Sequence, residues 1–178
     1  PKTTNKTKVG DFKFEDVNGD GKIDANDRKI LGSIQPDFTF GFSNTLRYKN
    51  FDLNFAIQGS QGFEVMALLK RYIANNEGNF NNLKATSNYF VSPENPGDGN
   101  TNRANRLATG GNGITSSWHI EDGSYVRIRN LGVGYNFPKT LLSKARITAA
   151  RVYASVQNLH TFTKYPFFNP EVNDRPDN

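Results

Sequence analysis

The sequence predicts an all-β chain, part of a large antiparallel transmembrane β-barrel with long extracellular loops and a short loop helix. Three observations carry that prediction. Large apolar side chains alternate with small or polar ones over strand-length stretches, and the connections between those stretches alternate short and long. The longest unbroken apolar run, Val65 to Leu69, falls far short of the ~20 residues that a spanning helix needs, whereas a barrel strand needs only about 9–11.

Residues 1–36 read as an extracellular loop holding one sharp motif. Between positions 16 and 27, Asp16, Asn18, Asp20, Asp24 and Asp27 fall at positions 1, 3, 5, 9 and 12 of an EF-hand-type calcium loop. Glycine at Gly21 fills position 6, where the loop turns sharply, and Lys22 offers its backbone carbonyl at position 7. Calcium is a hard cation that takes six to eight oxygens, which four carboxylates, an amide and a carbonyl supply. Asp27 stands where glutamate is usual, so chelation by both oxygens is less assured and the affinity weaker. The preceding Asp11-Phe12-Lys13-Phe14 looks extended, so the expectation is a structural Ca2+ loop without the flanking helices of a full EF-hand. Without an ion, the same residues describe a solvated turn rich in Asp and Asn.

Residues 37–59 read as a barrel hairpin. Phe38, Phe40, Phe42, Leu46 and Tyr48 alternate with smaller or polar residues, and after Lys49-Asn50 the pattern resumes with Phe51, Leu53, Phe55 and Ile57. Residues 60–121 read as a long extracellular loop, rich in Asn and Gly, with a short amphipathic helix near 63–75. Within it Trp118, Tyr72 and Tyr89 are candidates for stacking on sugar rings, although loop aromatics also pack on one another.

Residues 122–165 read as a second hairpin. Leu131, Val133, Tyr135 and Phe137 oppose Asn130, Gly132, Gly134 and Asn136, and after the connection 138–145, Val152, Ala154 and Val156 oppose Arg151, Tyr153, Ser155 and Gln157. Plain alternation puts Arg127 and Arg129 on the same face as Leu131. If that face meets lipid, the two arginines must lie beyond the apolar band or snorkel to its edge. Residues 166–178 read as the start of another extracellular loop.

Composition narrows the function classes. The chain has no cysteine, which removes disulfides, thiol catalysis and Cys-based zinc sites. Its net charge of +5 comes from scattered basic residues rather than a basic patch, so no nucleic-acid partner is expected. His119, Asp122 and Ser124 are neighbours along one stretch and cannot converge as a triad, and Gly132-Val133-Gly134 lacks the rest of a dinucleotide fingerprint. No enzyme is expected.

The stretch Gly10 to Arg28 with Pro36 to Phe42, then Tyr125 to Leu131 with Gly134-Tyr135 and Phe137-Pro138, and then Val152 to Leu159 leading to Tyr165 resemble the C-terminal part of SusC/RagA-type TonB-linked outer-membrane transporters. The resemblance implies a piece of a barrel of about 22 strands with a plugged lumen, in the bacterial cell outer membrane. It implies import of oligosaccharide or peptide fragments, a SusD-like surface lipoprotein as partner, contact with outer-membrane lipid, and energy from TonB through regions absent from this chain. The rival reading is a secreted, calcium-stabilised β-module that binds carbohydrate or mediates adhesion.

Overall fold

The computed structural model describes residues 7–171. The chain divides into two units. Of the described residues, one unit takes 7–32 and 66–121, and the other takes 33–65 and 122–171.

The second unit is built on a four-stranded sheet. Its strands are β1 (Phe38–Tyr48), β2 (Phe51–Gln61), β5 (Tyr125–Asn136) and β6 (Arg151–Thr163), in the order β1-β2-β5-β6 with every neighbouring pair antiparallel. Two short strands, β3 (Glu64–Met66) and β4 (Ile120–Asp122), form a separate ribbon. The helix expected near 63–75 is a single turn, α1 (Lys70–Ile73). Its expected first half is extended instead, because Glu64–Met66 finds ladder partners there, and one turn is short for a helix that must stand on propensity. A second one-turn helix, α2 (Lys139–Leu142), lies between β5 and β6, followed by the 3-10 turn Ser143–Ala145, which Arg146 closes with a positive φ of 57°.

The register puts the large apolar side chains on one face. Leu46 lies opposite Leu53, Leu53 opposite Val133, and Val133 opposite Ala154, while Tyr48, Phe51, Tyr135 and Val152 form the next row. Phe42 and Phe55 approach with ring centroids 5.7 Å apart, and Phe51 and Tyr135 at 4.7 Å, so the rows are knit by cross-strand aromatic contacts. Phe40 lies over Gly59, whose missing side chain leaves room for the ring: a Cβ there would come within 2.4 Å of it. This apolar face is left open. Phe42 is 54% exposed, Leu46 53% and Val133, in the middle of the sheet, 48%.

The opposite face is polar. Asp52 accepts from Arg151 Nη2 at 2.6 Å and from Asn136 Nδ2 at 3.2 Å, and Asn130 Nδ2 donates to Asn54 Oδ1 at 2.9 Å. Gly132 and Gly134 make space for these side chains to lie across the strand. A Cβ at Gly134 would sit 2.5 Å from the Arg151 guanidinium and 2.7 Å from Asp52, and one at Gly132 would sit 2.7 Å from Asn54.

A β-bulge corrects the placement of the arginines. Asn130 faces Ala56 and Ile128 faces Ile57, so Arg129 is an extra residue and the alternation of β5 shifts by one at that point. Opposite it, β6 carries two residues between its partners Gln157 and His160, with Asn158 at a φ of 50°. Ile128 and Val126 thereby join the apolar face. Arg127 moves to the polar face, level with Gln58 and Thr161, and needs neither to snorkel nor to lie beyond an apolar band.

The bulge makes a prediction that plain alternation reverses. With the protein folded in lipid vesicles, Ile128→Arg puts a charge on the apolar face and is expected to cost about 2 kcal/mol, whereas Gln157→Arg on the polar face changes little. Urea denaturation of the two variants against the parent measures the difference, and equal stabilities would contradict the register shift.

Candidate functional site

The loop 16–27 is organised by its own side chains. Asp16 accepts from the backbone N–H groups of Gly19 at 2.7 Å and Gly21 at 2.8 Å, one on each carboxylate oxygen. Asn18 Oδ1 accepts from Asp20 N at 3.0 Å, and Asp20 Oδ1 from Lys22 N at 2.8 Å. Asp27 closes the loop, accepting from Val17 N at 2.9 Å and Asp24 N at 2.7 Å, while Asp24 caps the 3-10 turn Ala25–Asp27. Gly19 and Gly21 take φ of 76° and 80°, conformations open to glycine at little cost. The backbone N–H of Asp24, with those of Val17 and Asn18, holds the Asp27 carboxyl below its ordinary range.

The structure thus brings all five oxygen-bearing side chains of the motif into one continuous turn system, together with the Lys22 backbone. Among the described residues, however, no three or more His, Asp or Glu side chains are gathered into a cluster that could hold a metal ion. The carboxylates here are directed at backbone N–H groups. Since an ionised carboxylate offers about four lone-pair positions, that role still leaves acceptor capacity on Asp16, Asp20, Asp24 and Asp27.

The unit containing this loop has a polar interior, which sequence reasoning did not single out. Asn75, Asn102, Asn112 and His119 are almost fully buried, with Glu77 and Asn105 close behind. Glu77 is the hub: its Oε1 accepts from Gly110 N at 2.7 Å and Asn105 Nδ2 at 3.1 Å, and its Oε2 from Gly113 N at 3.2 Å. Gly110 is tightly enclosed, since a Cβ there would lie 2.6 Å from both Glu77 and Asp11. The Asp11 side chain, fully buried, accepts from Asn112 Nδ2 at 2.9 Å and from Arg103 at 3.0 Å. Asn112 Oδ1 in turn takes the Phe12 N–H at 2.6 Å.

Two of the three aromatic candidates, Trp118 and Tyr72, are engaged within the same unit. Trp118 packs on Phe12 at 5.0 Å and receives the Lys70 ammonium over its ring at 4.3 Å, and Tyr72 meets Phe80 edge-on at 5.4 Å. His119 accepts from Ser116 N through Nδ1 at 3.2 Å and keeps a buried Nε2. Burial pushes its pKa down, with Lys70 and Arg71 adding to the shift and the Ser116 hydrogen bond opposing it.

On the polar face of the sheet, the bulge places Arg127 at the centre of a second cluster. Arg127 Nε donates to Thr161 Oγ1 at 2.8 Å, Nη2 to Asn169 Oδ1 at 2.8 Å, and Nη1 to Glu171 Oε2. Glu171 Oε1 also accepts from the Tyr125 hydroxyl at 2.5 Å and from Gln58 Nε2 at 3.3 Å. Burial pushes the Glu171 carboxyl up, but the hydrogen bonds from Tyr125 and Arg127 and the charges of Arg127 and Arg129 outweigh it and hold the pKa below its ordinary range.

Antiparallel strands with one apolar face open to the surroundings, one polar face and long polar connections define the class: a β-barrel wall of the outer membrane. No family model matches the sequence. The chain is 43% identical over 165 residues to TonB-dependent receptor P3 of Formosa agariphila, covering 93% of this chain and 16% of that protein. It is 32% identical over 168 residues to TonB-dependent receptor SusC of Bacteroides thetaiotaomicron, covering 89% of this chain and 15% of SusC. Among solved structures it matches the RagAB peptide transporter with a TM-score of 0.67 and 25% identity, over 83% of this chain and 16% of that one. The chain is similar to a stretch of TonB-dependent receptors, SusC among them, and to part of the RagAB peptide transporter, and it spans about a sixth of the length of those relatives.

The buried histidine generates a pH prediction. Below the ordinary histidine value of 6.5, the unfolded chain binds a proton that folded His119 refuses, so the stability of its surroundings falls as pH drops from 6.5 toward the lowered folded value. Hydrogen exchange of peptides covering 113–121 in the full-length receptor is expected to quicken between pH 7.5 and 5.5, after correction for intrinsic rates. His119→Asn, which carries no titrating group, is expected to flatten that dependence.

Proposed function

We propose that this chain is the C-terminal part of a TonB-dependent outer-membrane transporter that imports peptide or glycan fragments with a SusD-like lipoprotein partner. The observation that carries the reading is the division of the sheet into an open apolar face and a hydrogen-bonded polar face across four paired strands. The apolar face would meet lipid and the polar face would line the lumen, while polar connections such as 60–121 lie on the extracellular side. Strands β1 and β6 each have one neighbour among the described residues, so each offers a free edge where further strands of the barrel would pair. The likeness to a peptide transporter favours peptide fragments, and the likeness to SusC keeps glycan fragments in view. Energy from TonB would enter through regions outside this chain.

The reading extends to the loop 16–27. Its donor chemistry suits Ca2+, with Asp16, Asn18, Asp20, Asp24, Asp27 and the Lys22 carbonyl as the oxygens that would hold it. A cation there would draw in carboxylates that now face backbone N–H groups, and so stiffen the loop; the role is structural.

Two measurements test these readings. The native polypeptide is expected to be several times larger than this chain, to require detergent and to co-purify with a surface lipoprotein; a water-soluble species of this chain's size would favour the secreted module instead. For the loop, Tb3+ luminescence in the full-length receptor is expected to be displaced by Ca2+ and to weaken at least tenfold in affinity on Asp16→Asn with Asp27→Asn. Unchanged luminescence in that double variant would place the ion elsewhere.

A further inference from the structure

The cluster around Arg127 has an asymmetry that a simple internal tether does not require. Its receiving side is rigid. Arg127 and Tyr125 stand on β5 and are both 8% exposed, Thr161 stands on β6, and Gln58 stands on β2, so three paired strands fix the donors. Arg129, the bulged residue, donates to Gln58 Oε1 at 3.2 Å, which turns the amide so that its Nε2 faces Glu171. Thr161 holds the Nε of the Arg127 guanidinium, while Nη1 and Nη2 face the segment beyond β6 and donate to Glu171 and Asn169.

The occupant is held more loosely. Glu171 lies beyond the end of β6 in irregular chain, and its side chain is 32% exposed against 9% for that of Arg127. The segment before it carries Phe168 at 95% exposure, and the local bonds recorded at Glu171 run to Asn169, itself a partner of Arg127. Removing Glu171 leaves two arginines, a buried phenol and an amide converging on one position with no anion in it. Such a set matches a carboxylate: a charged donor, two neutral donors and a second cation behind them.

We propose that this position on the polar face is a binding site for a carboxylate of the imported substrate, and that Glu171 is its resting occupant. Entry of a substrate carboxylate displaces Glu171 and frees the segment 165–171 from the wall. The inference rests on the reading of the polar face as the lumen of an importer. The carboxylate can come from an acidic peptide or from an acidic sugar, and the same donors serve both.

The test uses the full-length receptor in nanodiscs. A nitroxide is attached through Phe168→Cys, this segment having no cysteine of its own. Glutarate stands in for a peptide carboxylate and glucuronate for a sugar acid, at constant ionic strength, with glutaramide and glucose as neutral controls. Glutarate, glucuronate or both are expected to mobilise the label, and the stronger of the two identifies the source, while the neutral controls leave it unchanged. Glu171→Gln is expected to lower the half-effective concentration about tenfold by weakening the competitor. Tyr125→Phe removes a donor from the incoming carboxylate and from Glu171 alike, and is expected to shift it less than Glu171→Gln does.

A label that neither acid mobilises, or that the neutral controls mobilise equally, overturns the proposal. A second label at Val133→Cys separates this from failure of the underlying reading. Oxygen-accessible and shielded from a nickel chelate, it keeps the barrel wall even where the carboxylate site fails; the reverse pattern removes the barrel wall and the proposal with it.

Discussion

Side-chain parity in a paired antiparallel sheet is the constraint on which the wall depends. Apart from Arg129 and the strand ends Gln61 and Asn136, each residue of β2 and β5 has a ladder partner on both sides, so its face is fixed by its neighbours as well as by its own sequence. A uniform alternation along β5 would carry Arg127 onto the apolar face. Arg129 absorbs the misfit as a bulge, and the ladder continues on either side of it with every row intact. A single extra residue therefore decides whether a guanidinium faces lipid or joins the polar cluster. Moved to the polar face and largely buried, Arg127 in turn demands an anion, because a desolvated cation without one costs several kcal/mol.

The other unit solves a different problem. It has little regular structure and few apolar side chains to bury, so its backbone groups lack the ladders that satisfy them in the sheet. Asn75, Glu77, Asn102 and Asn112 supply those partners from the inside, and Asn105 braces Glu77. A buried carboxylate that takes two backbone N–H donors, as Glu77 does from Gly110 and Gly113, can stand in for part of a ladder, since each bond removes an otherwise costly unsatisfied amide. That is the physical meaning of the chain's low mean hydropathy of −0.66: much of its interior is polar by construction, and much of its apolar surface is turned outward.

How much of this is legible in the sequence follows from the range of the interactions. Period-two alternation is local, and Phe38 to Ile57 and Leu131 to Val156 declare their apolar face directly. The loop 16–27 is equally local, since the bonds that shape it span ten residues at most. The bulge is not local. Ile128-Arg129-Asn130 has no glycine or proline to mark it, and the shift exists only relative to Ala56-Ile57 and Gln157 to His160 on the neighbouring strands. Nor could sequence pair Arg127 with Glu171 or Asp11 with Arg103, which are far apart along the chain. The run Phe63 to Ile73 misleads for a related reason: its spacing fits a helical face, but its first residues are captured by an extended partner.

The same separation between local and distant determinants bears on how a receptor of this kind can combine a stable wall with changeable contacts. Cross-strand rows such as Leu46, Leu53, Val133 and Ala154 are replicated across four strands, so no single row carries the sheet. The segment beyond β6 is joined to that wall by contacts that involve charge, such as those of Glu171 with Arg127 and Tyr125. Charged contacts of this type are strong when satisfied and exchangeable when another anion competes, because the rigid partner stays aimed whatever fills it. Replicated apolar pairing makes the wall permanent, and sparse charged pairing makes the attachment of the segment beyond β6 conditional.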